Sequence, residues 1–213
     1  MEALGPIELR FDKRKALAAT SFLLQQARGR MPYMKLIKLL YAADRESLLR
    51  FGKPIIGGHY YAMKLGPVVS EVLDLVKHPP DVLGPLAEEW SQHFERIGYD
   101  IQMTRPATLD PLSEAEVQLL TDTWDLFARL DQFQLSELTH RLFREWSDPG
   151  TGARPITPEE ILRTLGKSDE EIEEARQDAL ERAHFDDLFQ VAVAVSKVVP
   201  IEAARIPTAQ GLV

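Results

Sequence analysis

The chain contains no cysteine. That lack excludes a disulfide framework, a thiolate-held zinc or iron–sulfur site and a cysteine nucleophile, and it suits a reducing compartment. No run approaches the about 18 uninterrupted apolar residues a membrane helix needs, and Met1 to Phe11 lacks the basic start and apolar stretch of a signal peptide. The expected location is the cytoplasm. Histidine is sparse: His59, His78, His93, His140 and His184 show none of the close helical spacings that hold a metal. No Gly-rich loop ends in Gly-Lys-Ser/Thr, and no serine sits in a Gly-x-Ser-x-Gly elbow. No metal, no cofactor and no catalytic set is expected.

What is present is a chain of 213 residues, 45% of them apolar. A chain of that size buries roughly 70% of the surface its unfolded form exposes, enough for an independent core. Its charge is uneven. Residues 1–106 carry 15 Lys+Arg against 12 Asp+Glu, whereas residues 107–213 carry 10 against 21, a net +3 followed by −11. An acidic half repels phosphate backbones, which makes nucleic acid a poor partner and a basic protein a better one.

The pattern along the chain predicts a mainly α fold with a small β element, a compact multi-helix domain carrying a short β-hairpin. Asp12 caps a first helix running to about Ala27, and Pro32 opens a strongly periodic second helix that Gly52 stops. His59, Tyr60 and Tyr61 are β-friendly and follow the Gly57-Gly58 turn. Gly66-Pro67 reads as the start of another helix, with Val68, Val69, Val72, Leu73 and Val76 as its stripe and Pro79-Pro80 as its end. Alternating runs on either side of Gly98 suggest a hairpin on a sheet edge, or else a loose excursion, within Phe94–Arg105. Capping boxes at Ser113/Glu116, Thr157/Glu160 and Ser168/Glu171 start later helices, and a helix is expected over Leu135–Trp146. The expected organisation is a helical domain over residues 1–166, an acidic helical appendage over 167–199 packed on it, and a flexible tail over 200–213.

One carboxylate stands out. Ile37, Leu40, Asp44 and Leu48 share a helix face, so Asp44 sits in an apolar stripe and requires donors, such as the backbone near Gly58 or the side chains of His59, Tyr60 or Lys64. A structural tether is the preferred reading; a catalytic acid is the alternative. Lys35, Lys38 and Arg45 share another face and read as a small basic strip, either solvated or turned to acidic groups of a partner or to a phosphate. The aromatic residues Trp124, Phe127, Phe133, Phe143 and Trp146 fall at helical spacings and read as core.

The run KLIKLLYAADRESLLRFGKPIIGGHYYAMKLGPVVSEVLDLV, residues 35–76, followed by LSELTHRLFREW, residues 135–146, resembles the Panacea domain, also called the SocA-like antitoxin domain. The matching positions are Lys35, Leu36, Lys38, Leu39, Tyr41, Asp44, Gly52, Tyr61, Ala62, Gly66, Pro67 and Val68, then Leu138, Thr139, His140 and Trp146, within about residues 13–165. The resemblance carries no catalytic residues. It implies a prokaryotic or phage-associated antitoxin that neutralises the protein toxin of a neighbouring gene by direct contact. One relative's behaviour makes delivery of a partner to a protease or unfoldase the alternative, with the end Ile206–Val213 as the engaging segment. A third reading is an enzyme or small-ligand sensor built on Asp44, His59 and Lys64. Candidate partner-binding or motif residues are Lys35, Lys38, Tyr41, Asp44, Arg45, His59, Tyr60, Lys64, Gly66, Pro67, His140 and Trp146.

Overall fold

The computed structural model describes residues 5–78 and 84–198. Pro79, Pro80 and the tail over 200–213, including Ile206–Val213, lie outside the described residues. Asp12 accepts hydrogen bonds from the backbone N–H groups of Arg14 and Lys15, and helix α1 (Lys13–Gln26) follows. The run from Ala16 to Leu24 is buried throughout, because Ala16, Ala18 and Ala19 let neighbours approach on every side. A short strand β1 (Arg30–Pro32) leads into α2 (Tyr33–Phe51), which ends where Gly52 takes a left-handed φ of 64°. That conformation favours glycine and closes the helix.

Two small antiparallel sheets interrupt the helices. In the first, strand β2 (Tyr60–Met63) turns through Lys64-Leu65 into β3 (Gly66–Val69), and a late strand β6 (Arg154–Ile156) pairs with the other side of β2. The second joins β4 (Phe94–Ile97) and β5 (Asp100–Met103) around Gly98, with β1 along the far side of β5. The remaining helices are α3 (Ser70–Lys77), α4 (Pro85–Ser91), α5 (Glu114–Phe127), α6 (Gln132–Leu142), α7 (Pro158–Thr164) and α8 (Asp169–Val198). The fold is mainly α with a small β element.

Three expectations need correction, and one is that Phe133, expected in the core, is 60% exposed. Gly66-Pro67 opens a strand and not a helix, and α3 begins only at Ser70. The strand order β3-β2-β6 puts β3 at an edge, where the missing N–H of Pro67 costs no ladder bond and the β-branched Val68 and Val69 suit the pleat. The helix expected over Leu135–Trp146 begins earlier and ends sooner. Asp131 and Gln134 form a capping box ahead of Gln132, and Phe143 leaves helical geometry with ψ of 91°, so Glu145 and Trp146 turn inward beyond the helix end.

Helix α2 is the axle. It touches α1, α3, α5, α6 and α7 as well as β1, β3 and β5, and twelve of its 19 residues are buried. Leu36, Leu39, Leu40 and Leu48 are almost wholly inaccessible, and burying each contributes roughly 1.5–3 kcal/mol relative to exposure. Such a helix tolerates few charges that lack internal partners.

Candidate functional site

Asp44 lies beneath the loop that follows α2. Its Oδ1 accepts from the N–H groups of Ile55 (2.8 Å) and Ile56 (2.9 Å), and its Oδ2 from Gly57 N–H (3.1 Å) and the Tyr60 hydroxyl (2.8 Å). Burial pushes the carboxyl up to about 7, against the pull of those four donors. The loop is thereby tied to the helix at consecutive amides. Gly57, at φ 67°, is required there, since a Cβ would stand 2.4 Å from the Arg10 carbonyl oxygen.

One turn along α2, a second buried carboxylate organises the other side. Glu145 Oε1 accepts from the Tyr41 hydroxyl (2.9 Å) and Arg45 Nε (2.7 Å), and Oε2 accepts from the Thr164 hydroxyl (2.8 Å). The Arg45 guanidinium also lies over the Phe143 ring at 4.8 Å, and Arg154 Nη2 donates to the Glu145 carbonyl at 2.6 Å. Glu145 therefore joins α2, α7 and the segment before β6. The sequence reading missed it, because a glutamate in an amphipathic pattern reads as a solvated helix position. The signal that was there is its place between Phe143 and Trp146.

The basic strip is not a surface. Lys35 is buried and its ammonium donates to the carbonyls of Ala128 and Leu130, each at 2.7 Å, at the C-terminal end of α5, where a positive charge is favoured. It also stands 5.4 Å from the centre of the Trp124 ring. Lys38 is 1% exposed. The apolar width of α2, which presents nearly every face to a neighbour, overrides the exposure expected for these cations.

The separated motifs meet at Gly66. A Cβ added there would stand 2.6 Å from Lys38 Nζ, 2.8 Å from Thr139 Oγ1 and 3.4 Å from His140 Nε2. Around that point the Ser136 hydroxyl donates to the Leu65 carbonyl (2.6 Å) and Trp146 Nε1 to the Met63 carbonyl (2.9 Å), clamping both arms of the β2–β3 turn. The His140 ring stacks on Trp146 at 3.7 Å and 6°. Pro67 is buried beside Gly66 and pairs in register with Ala62.

Asp44, His59 and Lys64 do not share a site. Asp44 is occupied by the loop, whereas His59 is exposed, with Nδ1 2.6 Å from Glu71 Oε1 and its N–H donating to the same carboxylate. Lys64 stands exposed at the β2–β3 turn, at the rim of a cavity of about 200 Å³ that Lys38 also lines. Among the described residues no group of three His, Asp or Glu side chains is arranged to hold a metal ion.

Among the described residues, exposed apolar groups recur on α8, and Tyr99, Leu126 and Phe133 are exposed elsewhere. The first part of α8 buries Ile172, Ala175 and Ala179, but farther along Phe185 is 68% and Phe189 66% exposed, with Leu180, Leu188 and Val191 also half exposed or more. Phe185, Leu188 and Phe189 fall at i, i+3 and i+4, on one face. Glu181, Asp186 and Asp187 flank them, and Asp187 accepts two hydrogen bonds from Arg10 at 2.7 and 2.9 Å.

No helix among the described residues is long and apolar enough to cross a membrane. No curated protein and no solved structure matches the chain. The family model described as antitoxin SocA-like, Panacea domain, matches residues 36–147, just over half of the chain and the segment in which Lys38, Asp44, Gly66, His140, Glu145 and Trp146 build the two polar nodes and the turn clamp: the chain belongs to that family.

Proposed function

We propose that this protein is a cytoplasmic antitoxin which neutralises a protein toxin encoded nearby by direct contact, without catalysis, and that α8 supplies much of the contact surface. Family membership supports the antitoxin role. The observation that carries the surface is the exposed face of Phe185, Leu188 and Phe189. Apolar patches rimmed by polar residues characterise protein interaction sites. The acidic flank suits a toxin whose binding groove is apolar with a basic rim.

By contrast, most of the charged and polar motif residues are internally engaged. Lys35, Tyr41, Asp44, Arg45, Tyr60 and Trp146 each donate or accept within the fold, which supports a scaffold role for the matched segment.

Co-expression with the product of each adjacent gene tests the proposal. A toxin whose growth arrest is relieved and which co-purifies with this chain, at an unchanged cellular half-life, is the expected outcome. Failure of both rescue and co-purification with every neighbour contradicts antitoxin function. Rescue accompanied by rapid loss of the toxin contradicts neutralisation by binding alone and favours delivery to a protease.

A further inference from the structure

Lys38 is the one motif cation on α2 that the fold leaves unused. Lys35 and Arg45 meet carbonyls and a carboxylate, but Lys38, only 1% exposed, has neither a hydrogen-bond acceptor nor a countercharge among the described residues. An amine desolvated in this way is costly unless something outside the chain compensates it. Its ammonium end packs against Gly66, where a Cβ would stand 2.6 Å from Lys38 Nζ and 3.4 Å from the buried, unpartnered His140 Nε2.

Lys38 and Gly66 border a space. The cavity of about 200 Å³ is walled by apolar side chains including Met34, Ile37, Met63, Leu65 and Val68, with Lys64 and Lys77 at its rim and no carboxylate in its lining. A pocket with apolar walls, one buried amine and two rim lysines is complementary to an anion that carries an apolar body. Phosphate fits poorly: it is strongly hydrated, and the walls offer it few donors. A carboxylate suits better, since one charge-assisted hydrogen bond from Lys38 and the field of the two rim lysines satisfy much of its need.

We infer that this cavity is a binding site for a carboxylate attached to a small apolar group, with Lys38 Nζ as the principal donor and the rim lysines Lys64 and Lys77 reinforcing the positive field. The size agrees. An engineered cavity of about 150 Å³ accommodates benzene, so a ring or a short branched chain with its carboxylate matches the volume here. Gly66 is part of the site because a Cβ would collide with Lys38 Nζ at 2.6 Å. Two sources present this chemistry: a free small carboxylic acid, and the C-terminal residue of a polypeptide that ends in an apolar side chain.

Burial lowers the Lys38 amine to about 7, and burial together with the Lys38 charge lowers His140. The titratable groups around Lys38 are Lys64 from the turn, Lys77 from α3 and Tyr33 from α2, with His140 from α6 beside Gly66 and the charges of Glu137 and Asp148 acting on His140. Near pH 8 a bound carboxylate draws a proton onto Lys38, so binding is accompanied by net proton uptake.

Calorimetry on the intact protein alone tests the site with phenylacetate, phenylacetamide, and a short peptide ending in phenylalanine with a free or an amidated terminus. Acid bound at least about tenfold tighter than its amide, with proton uptake at pH 8 and about tenfold loss in Lys38→Met, supports the site. Preference for phenylacetate identifies a small-molecule source, and preference for the free-terminus peptide identifies a protein C-terminus. Equal binding of acid and amide, undiminished acid binding by Lys38→Met, or no binding of either acid source at millimolar concentration overturns it. The titration contains no toxin, so its failure leaves the proposed toxin neutralisation untouched.

Discussion

Helices α2 and α8 are built on opposite plans. On α2 nearly every face meets a neighbour, and all but one of the charged side chains that enter the core are met by internal partners: three amides and a phenol for Asp44, two carbonyls for Lys35, a carboxylate for Arg45, with Lys38 the exception. On α8 the early residues pack, and the later ones leave Phe185, Leu188 and Phe189 to solvent among acidic neighbours. Most residues that make the family recognisable therefore hold the fold. Phe185, Leu188 and Phe189 lie beyond the matched segment, which ends at residue 147, whereas Tyr99, Leu126 and Phe133 are exposed within it.

The largest expected effect comes from breaking the best-satisfied node. Asp44→Ala leaves three amides and the Tyr60 hydroxyl without an acceptor, at about 1–3 kcal/mol for each buried orphan, so a loss of roughly 4 kcal/mol or more is expected by urea denaturation. Asp44→Asn, which keeps one acceptor oxygen, loses less. Next comes Glu145→Gln. Removing the charge that faces the half-buried Arg45 is expected to cost about 3 kcal/mol, and Arg45→Met on the same background recovers part of it. Recovery of nothing would mean that the pair is not the source of the cost.

A third prediction turns to the other helix. Phe185→Asp together with Phe189→Asp leaves stability within about 0.5 kcal/mol of the parent, because neither ring is buried, while the toxin complex weakens by about 2 kcal/mol or more. A fourth effect, read as a pH slope, sits at Lys38. Its amine titrates near 7 in the folded chain against an ordinary 10.5, so between those values the unfolded state binds more protons and stability rises with pH. The penalty for the charged, buried amine is thus fully present below pH 7 and is relieved as pH rises toward 10.5. In Lys38→Met that slope flattens, and melting temperatures from pH 7 to 10 display the difference.

Local signals were legible where the chemistry is local. The Asp12 cap, the Gly52 stop, the Ser113, Thr157 and Ser168 boxes and the hairpin at Gly98 each depend on residues a few positions apart, and the structure carries them where the sequence puts them. The Asp44 tether was legible for the same kind of reason: a carboxylate inside an apolar stripe requires donors, and Tyr60 and the loop amides provide them.

What stayed hidden depends on partners distant along the chain. Pro67 reads as a helix start until β2 and β6 place its strand at a sheet edge. Lys35, Lys38 and Arg45 read as a solvated strip until α5, α6 and Glu145 close over α2. The Gly66 junction requires two segments some seventy residues apart, and only their packing shows why a glycine, a lysine and a histidine belong together.

Hydrogen exchange on the purified complex with the toxin compares the two helices directly. The account predicts new protection along α8 around Phe185 to Val191, with amides of α2 unchanged because the fold already protects them. New protection confined to the surface between Lys35 and Glu71, with α8 exchanging as in the free protein, would contradict it.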